Sequence, residues 1–424
     1  MKKFWIPLLL LGGFLHLGCQ EINCCMPGVI SVAPNSIFFF GEAPSEEVLV
    51  TCSMPWTLLD APKWLSLSDD GFNGSKLITV TVVGDSDSPR SGAITFMAAN
   101  GDKATLKVSQ NSETVYVAGQ ENSKAALWLN GSPTILSEEG SAAESVFVKD
   151  QTFYVAGYER IEGISYATLW VKNEPPIHLS ETVYQSVAHS VYVTDEAIFV
   201  VGQNYLSACL WKIARNDLTH IEAIDLSYFP SEAFSVFAYK DVVYAVGGCY
   251  ARATLWSVTG DDPVISTTLE VDDPSLSSSQ ATSVFVYNKV VYVAGFYSVD
   301  DLSSFSAATL WSNGTAQILP SGPASAGSVF VTQNRILVAG GLSQSTGGDL
   351  LEAMLWSNGT PQRLFSTNNA LALSVFAAPS GQVYVAGIDL IPTQATPFRA
   401  LLWIDGVKKT LSSQISIASS VFVQ

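Results

Sequence analysis

The sequence predicts an all-β protein in two parts, an N-terminal immunoglobulin-like sandwich followed by a seven-bladed β-propeller. Three observations lead to this prediction. Residues 29–111 form short runs of alternating apolar and polar residues divided by turn signals. Beyond Ser112, three short motifs recur seven times each. Hydrophobic residues make up 48% of the 424 residues and charged residues 14%, which supplies packed cores and gives no sign of disorder.

The N-terminus predicts an export signal that ends in a lipid anchor. Two lysines precede an apolar stretch over residues 4–18, which is too short to span a bilayer. Its end is similar to a bacterial lipobox, although His16 stands where a Leu-like residue is usual. We therefore expect residues 1–18 to be a signal peptide, Cys19 to be lipidated and residues 19–28 to be a tether. The alternative is an ordinary secretion signal that leaves Cys19 unmodified.

Charge and cysteine content argue against several classes of function. Lys and Arg number 21 against 38 Asp and Glu, giving a formal charge of −17 that disfavours nucleic acids and acidic lipid surfaces. Cys52 alternates with valines, as a buried core thiol would. Neither the spacing of the cysteines nor the four histidines predict a metal site, and no cofactor is expected.

The predicted sandwich carries a resemblance to a known family. The segment "PWTLLDAPKWLSLS", followed by "RSGAITF" and "LKVSQN", resembles the BACON domain. That family consists of immunoglobulin-like modules on surface proteins of gut bacteria, and its name implies carbohydrate binding. The resemblance covers residues 29–111 and implies a surface module that binds carbohydrate or acts as a spacer. For Trp56 and Trp64 we favour core packing over a platform for sugars.

The repeats after Ser112 each combine the same three motifs. The motif "SVFV" or a variant begins at Ser145, Ser190, Ser235, Ser283, Ser328, Ser374 and Ser420. The motif "VYVAG" or a variant ends at Gly119, Gly157, Gly202, Gly247, Gly295, Gly340 and Gly387. The motif "ATLW" or a variant ends at Trp128, Trp170, Trp211, Trp256, Trp311, Trp356 and Trp403. A strand-only unit of about 45 residues is typical of a propeller blade.

The order of the motifs predicts how the ring closes. The propeller, assigned to residues 113–424, begins with a "VYVAG" strand that no "SVFV" strand precedes. The last "SVFV" strand, from Ala418 to Val423, belongs to no unit of its own. We expect this strand to pair with residues 115–118 and complete the first blade, which would leave no open sheet edge.

Comparison of the seven copies separates the predicted scaffold from the predicted site. The Ser of "SVFV", the Ala two residues before it and the Trp of "ATLW" are expected to pack between blades, so the serines are not expected to be nucleophiles. The residue between that Ala and that Ser differs in every copy, as Glu144, His189, Phe234, Thr282, Gly327, Leu373 and Ser419. The loop after "VYVAG" and the link between units also vary. Both emerge at one end of the blades, where we expect binding.

Aromatic residues in these loops are the predicted ligand-binding residues. They are Tyr158, Tyr205, Tyr250 and Tyr297, which follow the Gly of "VYVAG" in four consecutive units, and Tyr228 and Phe229 in a neighbouring link. Rings on successive blades would stack on the C–H faces of a sugar polymer. The alternative is that these rings cap the ends of their own blades.

The catalytic and metal-binding motifs considered are absent. The sequence contains no G-x-S-x-G, H-E-x-x-H or P-loop, so no enzymatic activity is expected. Asp261-Asp262 and Asp300-Asp301 could bind calcium, but solvated loop carboxylates are commoner, and no metal is assigned. We predict a monomeric, lipid-anchored protein of the outer membrane or cell surface that binds a neutral or mucin-type glycan. The alternative is a scaffold that docks a surface protein and binds no glycan.

Overall fold

A computed structural model describes residues 30–40, 45–84, 90–111, 113–180, 184–228, 230–273, 277–298, 306–343, 351–365, 369–390 and 398–424. These residues form strands and turns without a helix, so none of their segments is a membrane-spanning helix. The all-β prediction is confirmed. The predicted signal peptide, Cys19, the tether over residues 19–28, Phe229 and Asp300-Asp301 lie outside the described residues.

The first of two compact units contains Ser45–Val83 and Ser91–Val108 together with residues 30–37. One sheet has four strands, in the order β1 (Ser31–Ala33), β3 (Ser45–Thr51), β7 (Lys76–Val82) and β5 (Leu65–Leu67). The other has five, in the order β2 (Ser36–Phe40), β9 (Lys103–Asn111), β8 (Arg90–Ala98), β4 (Pro55–Asp60) and β6 (Gly71–Asn73).

Trp56 and Cys52 both belong to the core of this first unit. The Trp56 ring meets Phe96 edge-on, with ring centroids 5.5 Å apart, and its indole N–H donates to the Gly74 carbonyl at 2.8 Å. Trp64 is half-buried. Trp56 therefore packs in the core, the role that we favoured from the sequence. The Cys52 thiol is also buried, as its alternation with valines predicted.

The second unit, which includes Ser109–Gln424, contains seven four-stranded sheets. Sheet 1 comprises β37 (Ser416–Val423), β10 (Val115–Glu121), β11 (Lys124–Leu129) and β12 (Ser132–Glu139). Sheet 2 comprises β13 (Ala142–Lys149), β14 (Thr152–Ile161), β15 (Ile164–Val171) and β16 (Ile177–His178). Sheet 3 comprises β17 (Ser186–Val193), β18 (Ala197–Asn204), β19 (Ser207–Ala214) and β20 (Asp217–Asp225). Sheet 4 comprises β21 (Ser231–Tyr239), β22 (Val242–Cys249), β23 (Arg252–Thr259) and β24 (Ile265–Thr268).

The remaining three sheets repeat the same order of strands. Sheet 5 comprises β25 (Ser278–Tyr287), β26 (Val290–Ser298), β27 (Ser306–Ser312) and β28 (Thr315–Ile318). Sheet 6 comprises β29 (Ala324–Val331), β30 (Ile336–Ser343), β31 (Leu351–Ser357) and β32 (Thr360–Arg363). Sheet 7 comprises β33 (Asn369–Ala377), β34 (Val383–Leu390), β35 (Phe398–Ile404) and β36 (Val407–Thr410). The second unit is therefore a propeller-like all-β fold.

The C-terminal strand completes sheet 1. β37 pairs antiparallel with β10, in a register that places Val423 opposite Val115 and Ser420 opposite Ala118. The pairing predicted for this strand is therefore confirmed.

The first strands of the seven sheets, the inner strands, are joined by a closed cycle of hydrogen bonds. In each case the backbone N–H of the Val that follows the repeated Ser donates to the Ser hydroxyl of the preceding sheet, at 3.1–3.3 Å. The cycle runs from Ser145 through the other sheets to Ser420 and back to Val146. The repeated serines thus bind backbone between sheets, which explains their presence in every copy.

A ring of aromatic side chains follows the same cycle two residues further along the inner strands. This aromatic collar consists of Phe147, Tyr192, Phe237, Phe285, Phe330, Phe376 and Phe422. Neighbouring centroids are 4.6–5.0 Å apart, and neighbouring ring planes differ by 44–55°, a range that includes a seventh of a full turn. The aromatic residue of "SVFV" is therefore fixed by contacts on both sides.

Each inner strand carries a β-bulge at its variable residue. The pairing register shifts between the repeated Ala and the repeated Ser in all seven sheets, so the residue between them is the extra one. The Gly of "VYVAG" lies opposite, where a side chain would overlap backbone: a Cβ at Gly247 would collide with the Glu232 carbonyl oxygen. The bulge explains why the residue between the repeated Ala and the repeated Ser varies freely, whereas the Ala and the Ser themselves do not.

Candidate ligand-binding face

The turns after the second strands and the links before the first strands lie at the same end of the sheets. The Tyr205 N–H, in the turn between β18 and β19, donates to the Gln185 carbonyl in the link before β17, at 2.9 Å. The Tyr250 N–H likewise donates to Pro230 in the link before β21, at 3.1 Å. The variable segments that the sequence singled out therefore meet at one end, the variable face.

Tyr205 and Tyr250 occupy equivalent, exposed turn positions in sheets 3 and 4. Each is the third residue after the repeated Gly, and their side chains are 54% and 67% exposed. Both have positive φ, 61° and 49°, a conformation that costs a bulky residue strain. The equivalent turn of sheet 1 has Asn122, a residue that tolerates this conformation well.

Two further tyrosines lie beside this pair. Tyr184, in the link before β17, packs against Tyr205 with ring centroids 4.5 Å apart. Tyr228, in the next link, is 85% exposed, and its carbonyl accepts a hydrogen bond from the Ser207 hydroxyl at 3.0 Å. We call Tyr184, Tyr205, Tyr228 and Tyr250 the aromatic ledge. Sequence reasoning included Tyr228 and Phe229 from the link before β21 but did not extend the comparison to Tyr184 in the link before β17.

Tyr297 and Tyr158 do not belong to the aromatic ledge. Tyr297 is the second residue after its Gly and only 5% exposed, and its hydroxyl donates to an Asp273 carboxylate oxygen at 3.2 Å. Tyr158 directly follows its Gly, pairs with Ala142 and is half-buried. Because successive strand residues point to opposite faces, these two rings cannot share one position. The four predicted tyrosines therefore do not form one row.

The position of Tyr297 has a structural role in other sheets as well. Its equivalents contact residues that precede their own inner strand, in the link or, for Glu159, in β12. Glu159 binds the Ser137 hydroxyl, Asn204 binds the Ser180 hydroxyl at 3.1 Å, and the Cys249 thiol lies 3.4 Å from the Ser227 hydroxyl. Tyr297 performs this function through Asp273, which is the physical reason for its burial.

A polar cavity opens beside the ledge, between sheets 3, 4 and 5. It has a volume of about 380 Å³, within the range of small-molecule sites. Its lining combines amide and carboxylate groups with two aromatic rings, from Gln203, Glu232, Gln280, Phe234 and Phe296. A sugar ring needs this combination, because its hydroxyls require hydrogen-bonding groups and its C–H faces require an apolar surface.

Three bulge residues, Glu144, His189 and Phe234, occupy the inner strands of the consecutive sheets 2, 3 and 4, and Phe234 lines the cavity. His189 lies 2.7 Å from a Glu232 carboxylate oxygen through its Nε2, and its ring packs 5.2 Å from the ring of Phe234. Glu144 occupies the preceding bulge, where loss of water raises the pKa of its carboxyl group and the charge of His189 opposes that rise. We call Glu144, His189, Glu232 and Phe234 the acidic mouth.

The described residues give no sign of a metal centre. No group of three His, Cys, Asp or Glu side chains within the described ranges could hold an ion. Asp261 and Asp262 are exposed at a turn.

Comparisons with known proteins leave the family open. No family model matches the sequence, and no curated protein matches it either. A Bacteroides ovatus GH5 xyloglucanase in complex with a heptasaccharide is 18% identical, over 19% of this chain and 18% of that one, at a TM-score of 0.19. The extracellular domain of a hybrid two-component system from B. thetaiotaomicron is 13% identical, over 65% of this chain and 37% of that one, at a TM-score of 0.40. The WD40 β-propeller domain of Doa1 is 14% identical, over 72% of this chain and 90% of that one, at a TM-score of 0.44.

This chain thus spans about a fifth of the xyloglucanase and well under half of the two-component protein. Similarities at these TM-scores establish neither a common family nor a common activity.

Proposed function

We propose that this protein binds a neutral or mucin-type glycan through the aromatic ledge and the polar cavity beside it. The observation that carries the proposal is the pair Tyr205 and Tyr250. Both are exposed rings held at positive φ, in turns where Gly or Asn would be less strained. Tyr205 packs against Tyr184, which is itself an exposed ring, and strained residues of this kind cluster at ligand-binding sites.

The chemistry of the surrounding residues favours a glycan. Tyrosine rings stack on sugar C–H faces, and several exposed rings on neighbouring turns suit a polymer that gains a modest contact from each. The cavity adds two amides, Gln203 and Gln280, for the sugar hydroxyls. Acidic polymers are disfavoured by Glu232 in the cavity wall and by the formal charge of −17.

We further propose the domain organisation in which this site would work. The seven sheets would be the blades of a closed propeller over residues 113–424, a proposal supported by the cyclic hydrogen bonds and the aromatic collar. Residues 29–111 would form a BACON-like immunoglobulin sandwich. A lipid on Cys19 and a tether over residues 19–28 would hold this monomeric, non-enzymatic protein at the outer membrane or cell surface.

Affinity electrophoresis against a panel of neutral and mucin-type glycans tests the function. We expect the wild type to be retarded by at least one of them, and the double variant Tyr205→Asn/Tyr250→Asn to lose that retardation. Asn tolerates positive φ, so the double variant should keep the melting temperature of the wild type or exceed it.

Phe365→Ala is the matched control, because Phe365 is an 80% exposed aromatic residue in the link between sheets 6 and 7. It should leave retardation unchanged. If the folded wild type ignores every glycan offered, the proposal is wrong and a protein-docking scaffold becomes the better account. If Phe365→Ala is as damaging as the double variant, the ledge is not the site.

A further inference from the structure

The residue directly after the repeated Gly donates an amide hydrogen bond toward the next sheet in two of the seven copies. The side-chain amide of Gln120 in sheet 1 donates to the Ser141 carbonyl at 2.8 Å, and that of Gln203 in sheet 3 donates to the Ser231 carbonyl at 3.1 Å. Both serines stand four residues before the repeated Ser of the following sheet. The glutamine amide is therefore a recurring contact between neighbouring sheets.

Sheet 4 has Gly248 at this position, so the glutamine amide is missing there. The serine equivalent to Ser141 and Ser231 is Ser279, because the hydroxyl of each accepts a hydrogen bond from the N–H of the Ala of "ATLW" in the preceding sheet, at 2.8–2.9 Å. Gly248 and Ser279 both line the polar cavity beside the aromatic ledge. Since Gly248 has no side chain to offer the Ser279 carbonyl, the cavity lies where sheets 1 and 3 place a glutamine amide.

The space at Gly248 is open, in contrast to the space at the equivalent glycine of sheet 6. Among the described residues, no atom lies within 4 Å of the position that a Gly248 Cβ would take. At Gly341 in sheet 6, a Cβ would collide with the side chain of Leu371 in sheet 7. The counterpart of Leu371 in sheet 5 is Gln280, which lines the cavity wall instead of filling the space. The cavity is therefore specific to sheets 4 and 5 and not a general consequence of a glycine at this position.

The chemistry of the cavity wall matches an amide that carries a small apolar group. The Ser279 carbonyl can accept a hydrogen bond from an amide N–H, as its equivalents do, and the Gln280 amide can donate one to an amide carbonyl. The ring of Phe296 offers apolar surface to a methyl group. Glu232 of the acidic mouth also lines the cavity, but one of its carboxylate oxygens is already held by His189 at 2.7 Å. A hydroxyl lacks the methyl group and an ammonium group lacks the acceptor, so an acetamido group satisfies this wall best.

We propose that this cavity binds the acetamido group of an N-acetylhexosamine, in the place of the missing glutamine amide. This inference rests on the proposed glycan function and names the sugar class within it. Pro230 and Ala251 line the cavity, and both adjoin Tyr250, whose N–H donates to the Pro230 carbonyl and which Ala251 follows in the chain. A sugar unit with its acetamido group in the cavity would therefore lie beside a turn of the aromatic ledge, where the rest of a polymer would be held.

Isothermal titration with monosaccharides tests the acetamido site separately from the ledge. The probes are N-acetylglucosamine and N-acetylgalactosamine, the free amines glucosamine and galactosamine, and the neutral sugars glucose and galactose. Within each series these sugars differ only in the group at one carbon. We expect the wild type to bind the N-acetyl sugars about tenfold more tightly than the amines or the neutral sugars, the difference expected for one neutral hydrogen bond together with one buried methyl group.

Two substitutions fill the cavity with residues that other sheets use at the same positions. Gly248→Gln introduces the amide of sheets 1 and 3, and Gln280→Leu introduces the side chain that closes the equivalent space beside sheet 6. We expect both variants to lose the preference for N-acetyl sugars and to keep the melting temperature of the wild type. The matched control Gly248→Ala adds only a Cβ in open space, so it should keep both the preference and the melting temperature.

The ledge variant keeps the two proposals distinct. Tyr205→Asn/Tyr250→Asn should lose polymer binding and keep the preference for N-acetyl monosaccharides. The inference is overturned if the wild type shows no such preference, or if the preference survives either filling substitution in a folded variant. Equal binding of Nα-acetylglutamine amide would show a site for peptide amides instead, and would equally overturn it. If neutral glycans retard the wild type while N-acetyl sugars bind no better than the others, the inference fails and the proposed function stands.

Discussion

Removal of the C-terminal strand residues Ala418–Gln424 should destabilise the second unit severely. These residues supply the pairing of β37 with β10 and the hydrogen bonds that join sheet 1 to sheets 2 and 7. They also supply Phe422, which lies between Phe147 and Phe376 in the collar. The deletion therefore removes three kinds of contact at once: strand pairing with β10, hydrogen bonds to the neighbouring sheets, and one ring of the aromatic collar.

The magnitude follows from the buried side chains. Val421 and Val423 are 4% and 3% exposed, and burial of each is worth roughly 1.5–3 kcal/mol. The two valines alone therefore account for about 3–6 kcal/mol, against a total stability of about 5–15 kcal/mol for a typical domain. We expect the melting temperature to fall by on the order of 10 °C. The exposed edge of β10 should also promote aggregation.

Thermal unfolding and size-exclusion chromatography of the truncated protein measure both effects. A synthetic peptide with the sequence of residues 418–424 should restore the melting temperature in a saturable manner, since it binds the folded state. A scrambled peptide of the same composition should not. An unchanged melting temperature after truncation would refute the reasoning, because it would show that β37 contributes little to the fold.

Three further predictions concern single residues. Gly247→Ala should lower the melting temperature by several degrees, because its Cβ would overlap a backbone carbonyl oxygen. The control Gly248→Ala should leave the melting temperature unchanged, because open space surrounds that position. Equal effects of the two substitutions would contradict the close approach at the bulge. Peptide mapping after iodoacetamide treatment at pH 8 should show Cys249 modified and Cys209 intact, since burial raises the pKa of Cys209 to about 12. Modification of Cys209 in the folded protein would count against its burial. Cys19→Ser should abolish incorporation of labelled palmitate, and a wild type that takes up no label would disprove the anchor.

Most of the scaffold could be predicted from the sequence because each structural requirement recurs seven times. The same residue type recurs in every copy at four positions. These are the serine that binds the neighbouring backbone, the Ala and the Gly at a close approach, and the Trp in the core. The pairing of β37 with β10 followed from the same comparison, since one strand was missing at the start and one was left over at the end.

The candidate site was less predictable because it depends on position within a turn. Tyr205 and Tyr297 differ by one residue in their distance from the repeated Gly, and this difference separates an exposed ring from a buried one. The bulge was also hidden in the sequence, where Glu144 and His189 appeared only as variable residues. Counting residues from the repeated Gly, rather than noting a nearby ring, would have separated Tyr205 and Tyr250 from the others.

Hydrogen exchange, with and without the glycan that retards the protein most strongly, tests the central claim most directly. The account predicts slower exchange in residues 204–207, 226–228, 230–231 and 249–252, which carry or support the aromatic ledge. It predicts no change in the turns at the opposite end, at residues 194–197 and 239–242. Protection confined to the opposite turns, or none at the ledge with glycan bound, would contradict the account.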